Sequence, residues 1–412
     1  MRIATYAGLA AALAAGCVQA QAPAQDVDLK AELARQNARI AELEKKSEVK
    51  PEVGPLKFPA ELTPYILIDT TFVAKTNATA DGRTKFDMAT PFMSGSRWGL
   101  KGSIKTNIEG LNVIYKLESE YTTADGAMDT PGVLFNRDAW VGFKSKEIGQ
   151  ITFGRQNTLA RDFAVIYGDP FAHPEVNYDE GGWTNTNNFK QLIYFAASVD
   201  GTRTNKGIVW KKVTDSGFAM GAGYNLTSTE PNTSTTNSTA EVALGYNAAT
   251  YHISSFYTQA NNNGFTQKSY SVGGNVLPVS WLRLNAGYFH YTADQGDLKP
   301  QRSDSAYTMS ATIYASPKWS YHLGHQSMKA NDAGLSSKGF MQNPFSNGAA
   351  STVFGTGTKD TTYGMVMRHL SKRMEAYVAF DYMTLKDGYK LAATNGHDSQ
   401  TEYAIGIRIR AL

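Results

Sequence analysis

The chain has a single cysteine, Cys17, among 412 residues, so neither a disulfide framework nor a cysteine-ligated metal site can be read from it. Past residue 20 no apolar run approaches the roughly 18 residues that a spanning helix needs, which excludes a helical membrane protein. Charge is sparse as well. Asp, Glu, Lys and Arg make up 19% of the residues and the formal net charge is +3, too thin a surplus for a nucleic-acid footprint. The GxSxG and HExxH signatures are both missing. Seven histidines are scattered, and the closest pair, His322 and His325, would point to opposite faces of a strand. No enzyme, metal site or cofactor is expected. What is present is a chain long enough for a large folded unit, 42% hydrophobic, with 37 glycines and 22 tyrosines, which leans toward an unusual β protein.

The first twenty residues read as a secretory leader: Arg2 as the positive start, Ile3 to Gly16 as the apolar stretch, and Val18-Gln19-Ala20 as a small-residue cleavage site. Ala14-Ala15-Gly16-Cys17 loosely resembles a lipoprotein processing signal, which leaves acylation of Cys17 as an alternative. Residues 21–58 form a second unit. Leu29, Leu33, Gln36, Ile40 and Leu43 follow a heptad seam, and no Gly or Pro interrupts Ala24 to Lys50, so a short α-helical coiled-coil segment is expected. Two to three heptads hold weakly alone, so such helices either pack on the protein or associate where a larger oligomer concentrates them. Pro51, Pro55, Pro59 and Pro64 supply a semi-rigid connector.

From Pro64 to the end the period changes to two, and residues 59–412 are expected to form one unit. Phe218, Met220, Ala222 and Tyr224 alternate with Ala219, Gly221, Gly223 and Asn225; Tyr403, Ile405 and Ile407 alternate with Ala404, Gly406 and Arg408. Sixteen such segments can be placed, beginning near Pro64–Ala74, Ser96–Thr106, Leu111–Tyr121 and Leu134–Ser145 and ending near Glu402–Arg410. Many run to about ten residues, the length of a tilted spanning strand and longer than the usual strand of a sandwich. Their connections alternate between short ones, such as Lys146 to Ile148, and long ones, of which Gln156 to Arg203 is the longest. Segregation of loops by parity is a property of an up-and-down outer-membrane barrel, with tight periplasmic turns and long outer loops. Trp98, Trp140, Trp210, Trp281 and Trp319, with Tyr121, Tyr224 and Tyr291, lie in or at the ends of strands and are expected to form two interfacial girdles.

SGSRWGLKG (Ser94–Gly102), FNRDAWVGF (Phe135–Phe143), ITFGRQ (Ile151–Gln156), Asp169-Pro170-Phe171 and RHLSKR (Arg368–Arg373), in this order, resemble the trimeric general-diffusion porins of Gram-negative bacteria, especially the β-proteobacterial type. The resemblance implies an all-β fold: a 16-stranded antiparallel transmembrane β-barrel with an inward-folded third loop, assembled as a homotrimer amid outer-membrane lipid and lipopolysaccharide. It implies a constriction with a basic wall, to which Arg97, Lys101, Lys116, Arg155 and Arg203 are assigned, opposite the loop acids Asp162, Asp169, Glu175, Asp179 and Glu180. Strand alternation independently turns Arg97 and Lys101 away from Trp98 and Leu100, and Lys116 away from Tyr115 and Leu117. Val209 stands where many members carry another arginine. The Ala411-Leu412 ending and the N-terminal helix also depart from the plainest members.

The function expected is passive diffusion of small hydrophilic solutes and ions, with no catalysis and no nucleic-acid partner. Two alternatives stay open. One is a substrate-selective channel for anions, dicarboxylates or sugars, with Arg283 joining the basic track. The other is a structural envelope protein whose periplasmic helix tethers the membrane to peptidoglycan.

Overall fold

The computed structural model describes residues 38, 61–89, 92–178, 202–227, 237–262, 265–294, 302–330, 357–389 and 394–411. The leader, the heptad segment and the proline connector lie outside these residues except for Ala38, which is helical, and Pro64, which belongs to the first strand rather than to a connector. In chain order the elements are β1 (Thr63–Lys75), β2 (Lys85–Ala89), β3 (Ser96–Lys105), β4 (Asn112–Tyr121), β5 (Asp138–Ser145), β6 (Gly149–Asn157), α1 (Leu159–Gly168), β7 (Arg203–Val213), β8 (Phe218–Thr227) and β9 (Asn237–Asn247). They continue with β10 (Tyr251–Asn262), β11 (Phe265–Val279), β12 (Leu282–Ala293), β13 (Arg302–Ser316), β14 (Trp319–Ala330), β15 (Gly357–Ser371), β16 (Met374–Lys386) and β17 (Ser399–Ala411).

Neighbouring strands pair antiparallel around a closed ring, and β17 returns to β1 with Ile66 opposite Ala411 and Lys75 opposite Glu402. Closure matters because a sheet edge in hydrocarbon would strand its backbone N–H and C=O groups. The outer half of β1 pairs with β2 and the inner half with β3, so β2 and β3 are two stretches of one barrel strand and the ring has sixteen. Between them the chain leaves the ladder and turns inward. Phe92 and Met93 are buried, Ser94 N donates to Asp69 Oδ2 (2.8 Å), and Ser96 Oγ takes over both ladder groups of Asp69 (2.9 Å each). This excursion was not expected from the alternation, which resumes only at Ser96.

The alternating pattern sorts onto two faces. Leu244 and Ile405 are 63% and 59% exposed on the outside, in a band with Val242, Tyr307, Met309, Tyr403 and Ile407. An apolar belt of this extent is suited to lipid rather than water. Inward positions carry polar groups such as Asn225, Thr239, Thr308, Thr312, Asp381 and Gln400, all buried. Trp98, Trp281 and Trp319 are exposed on the outside, and Trp210 donates to Ile148 O (2.7 Å). Trp140 and Tyr291 correct the girdle expectation. Trp140 is the register partner of Lys116 on the lumenal face and Tyr291 is buried in the lumenal core, both filling space beneath inward-folded chain.

That core is built around α1. Thr158 caps the helix by accepting from Arg161 N (3.2 Å), and all ten helical residues are buried. Leu159, Phe163, Ile166 and Tyr167 pack on Val209, Ala219, Ala243, Phe256 and Phe289 of the barrel wall. Tyr167 needs a hollow. Gly273 and Gly287 face each other in the β11–β12 ladder, and a Cβ at either would lie 2.6 or 2.2 Å from the Tyr167 ring. A second buried cluster joins Phe92 and Met93 to Val73, Tyr363, Met365, Met367 and Tyr377, with Phe171 beyond α1 packed against it.

Candidate pore constriction

Strands β3 to β7 present a charged wall to the lumen. In β4, Lys116, Glu118 and Glu120 occur at every second position and so share one face. Register sets Lys101 opposite Lys116, Arg97 opposite Glu120 and Asp138 opposite Glu118. Glu118 is the hub. It accepts from Tyr65 Oη (2.8 Å) and pairs with Arg137, Lys116 (3.3 Å) and Arg97 (3.9 Å). Arg137 also binds Glu120, and Lys116 binds Asp138 (2.7 Å). Arg203 Nε donates to Arg137 O (2.9 Å), which draws a further guanidinium into the group. Burial works against the charge on Arg137, in the connection before β5, but Glu120 and Glu118 outweigh it and hold the guanidinium above its ordinary pKa.

The sequence-assigned wall residues therefore fall in different settings. Arg97, Lys116 and Arg203 belong to this network, with Arg97 Nε also donating to Gly95 O (3.0 Å). Lys101 is exposed to the lumen, its ammonium 5.7 Å from the Tyr65 ring centroid. Arg155 takes the ladder position opposite Ala139, out of step with Asp138 and Trp140, and donates to Asn136 O (2.7 Å) and Asn205 Oδ1 (2.5 Å). Here β6 bulges against β7 at Gly154, whose φ of +126° only glycine adopts readily. Val209 is buried beneath α1, so the missing arginine would have no room beside the helix.

The loop acids divide in the same way. Asp162 lies in the first turn of α1, pairs with Lys211 of β7 and accepts from Asn157 Nδ2 (2.8 Å). Asp169 ends the helix and accepts from Phe171 N (2.9 Å). Glu175 is exposed, whereas Asp179 and Glu180 lie outside the described residues. Barrel side chains hold the loop backbone from residue 163 to 176. Ser254 Oγ donates to Phe163 O (2.7 Å), Thr312 Oγ1 to Pro170 O (3.1 Å) and Asn247 Nδ2 to Val176 O (3.1 Å). Arg283, weighed in the sequence only as part of an anion track, is fully buried and engaged with the carbonyls at the end of α1.

Beneath the loop lies an open cavity of about 790 Å³, into which Lys101, Lys116, Trp140, Lys144, Tyr178 and Lys211 project. Tyr178 packs on Phe163, and burial together with the Asp162 charge raises its phenol pKa. Sequence reasoning missed Glu118, Glu120, Arg137 and Asp138. Their period-two spacing with Lys116 and the Asn136-Arg137-Asp138 run were the available signals.

Away from this wall, on β14 and β15, two histidines meet in a way the sequence spacing did not suggest: Ser320 Oγ lies 3.1 Å from Nε2 of both His322 and His369. Among the described residues no group of three or more His, Cys, Asp or Glu side chains is placed to hold a metal.

A closed sixteen-stranded ring, an inward third loop and a charged lumenal wall coincide with a sequence match: the family profile of Gram-negative porins covers residues 7–388. The chain belongs to that family. An outer membrane porin of Bordetella pertussis is 26% identical over 231 residues, half of this chain and 56% of that porin's own length. Among solved structures, the anion-selective porin of Comamonas acidovorans superposes with a TM-score of 0.65 at 18% identity, covering 85% of this chain and 99% of that one. The trimer form of OmpT, an outer membrane protein of Vibrio cholerae, gives 0.59 at 16% identity, covering 85% and 99%. At such identities the structural likeness speaks to the fold, and the family places this porin in the outer membrane as a β-barrel.

Proposed function

We propose that this porin forms a water-filled channel for passive diffusion of small hydrophilic solutes and ions, working as a homotrimer without catalysis. The observation that carries the reading is the wall centred on Glu118, where Arg97, Lys116, Arg137 and Arg203 are fixed on the lumenal face of a barrel narrowed by α1. Fixed charges on a low-dielectric wall focus field into the lumen, so an ion or dipolar solute gains there what an apolar solute cannot. Arg97, Lys101, Lys116, Arg155 and Arg203 form the basic side in this proposal, and Asp162, Asp169, Glu175, Asp179 and Glu180 the loop side. The leader, residues 1–20, directs export. Residues 21–58 stand in the periplasm, where the helix assists trimerisation or touches peptidoglycan, and the barrel from residue 59 is bounded by lipid and lipopolysaccharide.

A second reading, an anion-selective channel, is favoured by one specific feature. Lys101 and Lys144 extend into the cavity beneath the loop without a carboxylate partner among the described residues, beside Lys116 and Lys211. Planar-bilayer recording of the purified protein separates the two. Closure in three steps with no solute block supports the general channel. Saturable block by a dicarboxylate or phosphate, lost on Lys101→Gln or Arg97→Gln, supports the selective one, and absence of conductance refutes both.

A further inference from the structure

The short-turn rim of the barrel divides into two halves of different charge. On the side of β3 to β8 the turns mix signs: Glu109, Lys146, Glu147 and Asp215 lie there, with Lys146 paired to Asp215 at 2.8 Å. On the side of β9 to β16 the described turns 247–250, 280–281, 316–318 and 371–373 contain no side-chain carboxylate, yet Lys318, Lys372 and Arg373 are all exposed in them. Among the described residues these three cations make no ion pair.

Arg368 adds a fourth cation at a telling position. It alternates with Val366 and Leu370, both exposed on the outer face, so its side chain leaves the barrel toward lipid rather than lumen. Its guanidinium carbon stands 4.6 Å from the ring centroid of Trp319, its register partner on β14. The stack fixes the guanidinium without consuming its hydrogen-bond donors. No carboxylate faces it among the described residues; the nearest acid of this rim, Glu375, is turned inward and bound to Arg408 (3.2 Å) and Arg410 (3.0 Å). Trp281, Trp319 and Tyr321 are exposed in the same sector, where indole and phenol rings mark the headgroup level.

We propose that Arg368, seated on Trp319 and supported by Lys318, Lys372 and Arg373, binds the phosphate of an anionic phospholipid in the periplasmic leaflet. The site rests on the outer-membrane placement of the barrel and is independent of what passes through the lumen. A planar guanidinium offers two parallel donors to phosphate oxygens, the lipid tails lie along the exposed Val366 and Leu323, on the membrane side of Arg368, and the turn cations add long-range attraction. A zwitterionic lipid carries its own ammonium beside the phosphate and gains less from the cluster.

The test is native mass spectrometry of the full-length protein in detergent with added phosphatidylglycerol or phosphatidylcholine. Preferential retention of phosphatidylglycerol is expected, falling about fivefold for each cation removed, first in Arg368→Gln and then in Lys372→Gln with Arg373→Gln. The turn variant alters only exposed side chains, so it reports even where Arg368→Gln assembles badly. Lys146→Gln on the mixed half should leave retention unchanged, as should an equal concentration of glycerol phosphate. Equal retention of both lipids, undiminished retention in both cluster variants, or displacement by glycerol phosphate would each overturn the proposal. Bilayer conductance of the variants should stay at the wild-type value, which keeps failure here distinct from failure of the channel reading.

Discussion

Nη1 of Arg283 donates to the carbonyl oxygen of Ala172 across 2.6 Å, tying β12 to the chain just past the end of α1. Nη2 of the same side chain reaches Ile166 O (3.1 Å) and Asp169 O (3.4 Å), and Asn275 Nδ2 shares Ile166 O (2.9 Å) and takes Pro174 O (2.8 Å). The last carbonyls of a helix have no partner within it, and a cation placed there also meets the negative end of the helix dipole. Arg283 thus acts as a latch on the third loop.

Arg283→Met should loosen that latch. Each carbonyl left dry costs about 1–3 kcal/mol, and the loop recovers this cost by moving toward water. Single-channel records are expected to show added current noise and sublevels, with Arg283→Lys intermediate because one ammonium replaces a three-point contact. Quiet wild-type openings in Arg283→Met would refute the latch.

The seat of Tyr167 makes a steric prediction. Gly287→Ala puts a methyl group where the ring lies, and overpacking of a closed core costs about 1–3 kcal/mol. The loss should show as a lower temperature for barrel unfolding in gel-shift assays, and it should shrink in the double variant with Tyr167→Ala. Equal losses with and without the ring would mean that the glycine serves only the strand.

Asp129 carries the pH prediction. It lies in the connection between β4 and β5, where partial desolvation of the carboxyl and the neighbouring Glu120 raise its pKa. A raised acid takes up its proton at a higher pH than an ordinary aspartate, so the wall loses one negative charge early as pH falls. Anion preference should therefore begin to rise above the usual aspartate range, and in Asp129→Asn that contribution should be missing from the reversal potential measured against pH.

The barrel was legible because two solvents act on each strand. Lipid outside and water or loop inside impose a period of two on segments such as Gly217–Asn225, and the observed strand Phe218–Thr227 differs from it only at the ends. Elements lacking those two environments were hidden. All of α1 is buried against the lumenal wall, so Leu159–Gly168 shows no solvent face that would mark a helix. The 92–95 excursion likewise looks like a loop, because its inward packing depends on Tyr363, Met365 and Tyr377, far along the chain. At the constriction, alternation placed Lys116 on the lumenal face, and Glu118 and Glu120 obey the same rule. Their role depends on which cations the register brings across, and no single strand contains that information. Arg155 departs from alternation because a bulge at Gly154 resets its phase.

That register yields a prediction about selectivity. Glu118 is shared by Arg97, Lys116 and Arg137, so Glu118→Gln removes one negative charge while leaving an amide of nearly the same shape among three cations. A unit charge about 8 Å from a permeating ion in water is worth about 0.5 kcal/mol, or about twofold in local concentration. Reversal potentials under a KCl gradient should shift toward anions by about that factor in Glu118→Gln and toward cations in Arg97→Gln. Both shifts should fade toward 1 M salt, where the screening length falls to about 3 Å. A shift that persists at high salt, or one of the same sign in both variants, would show that the substitutions act by moving the loop rather than through the field of the wall.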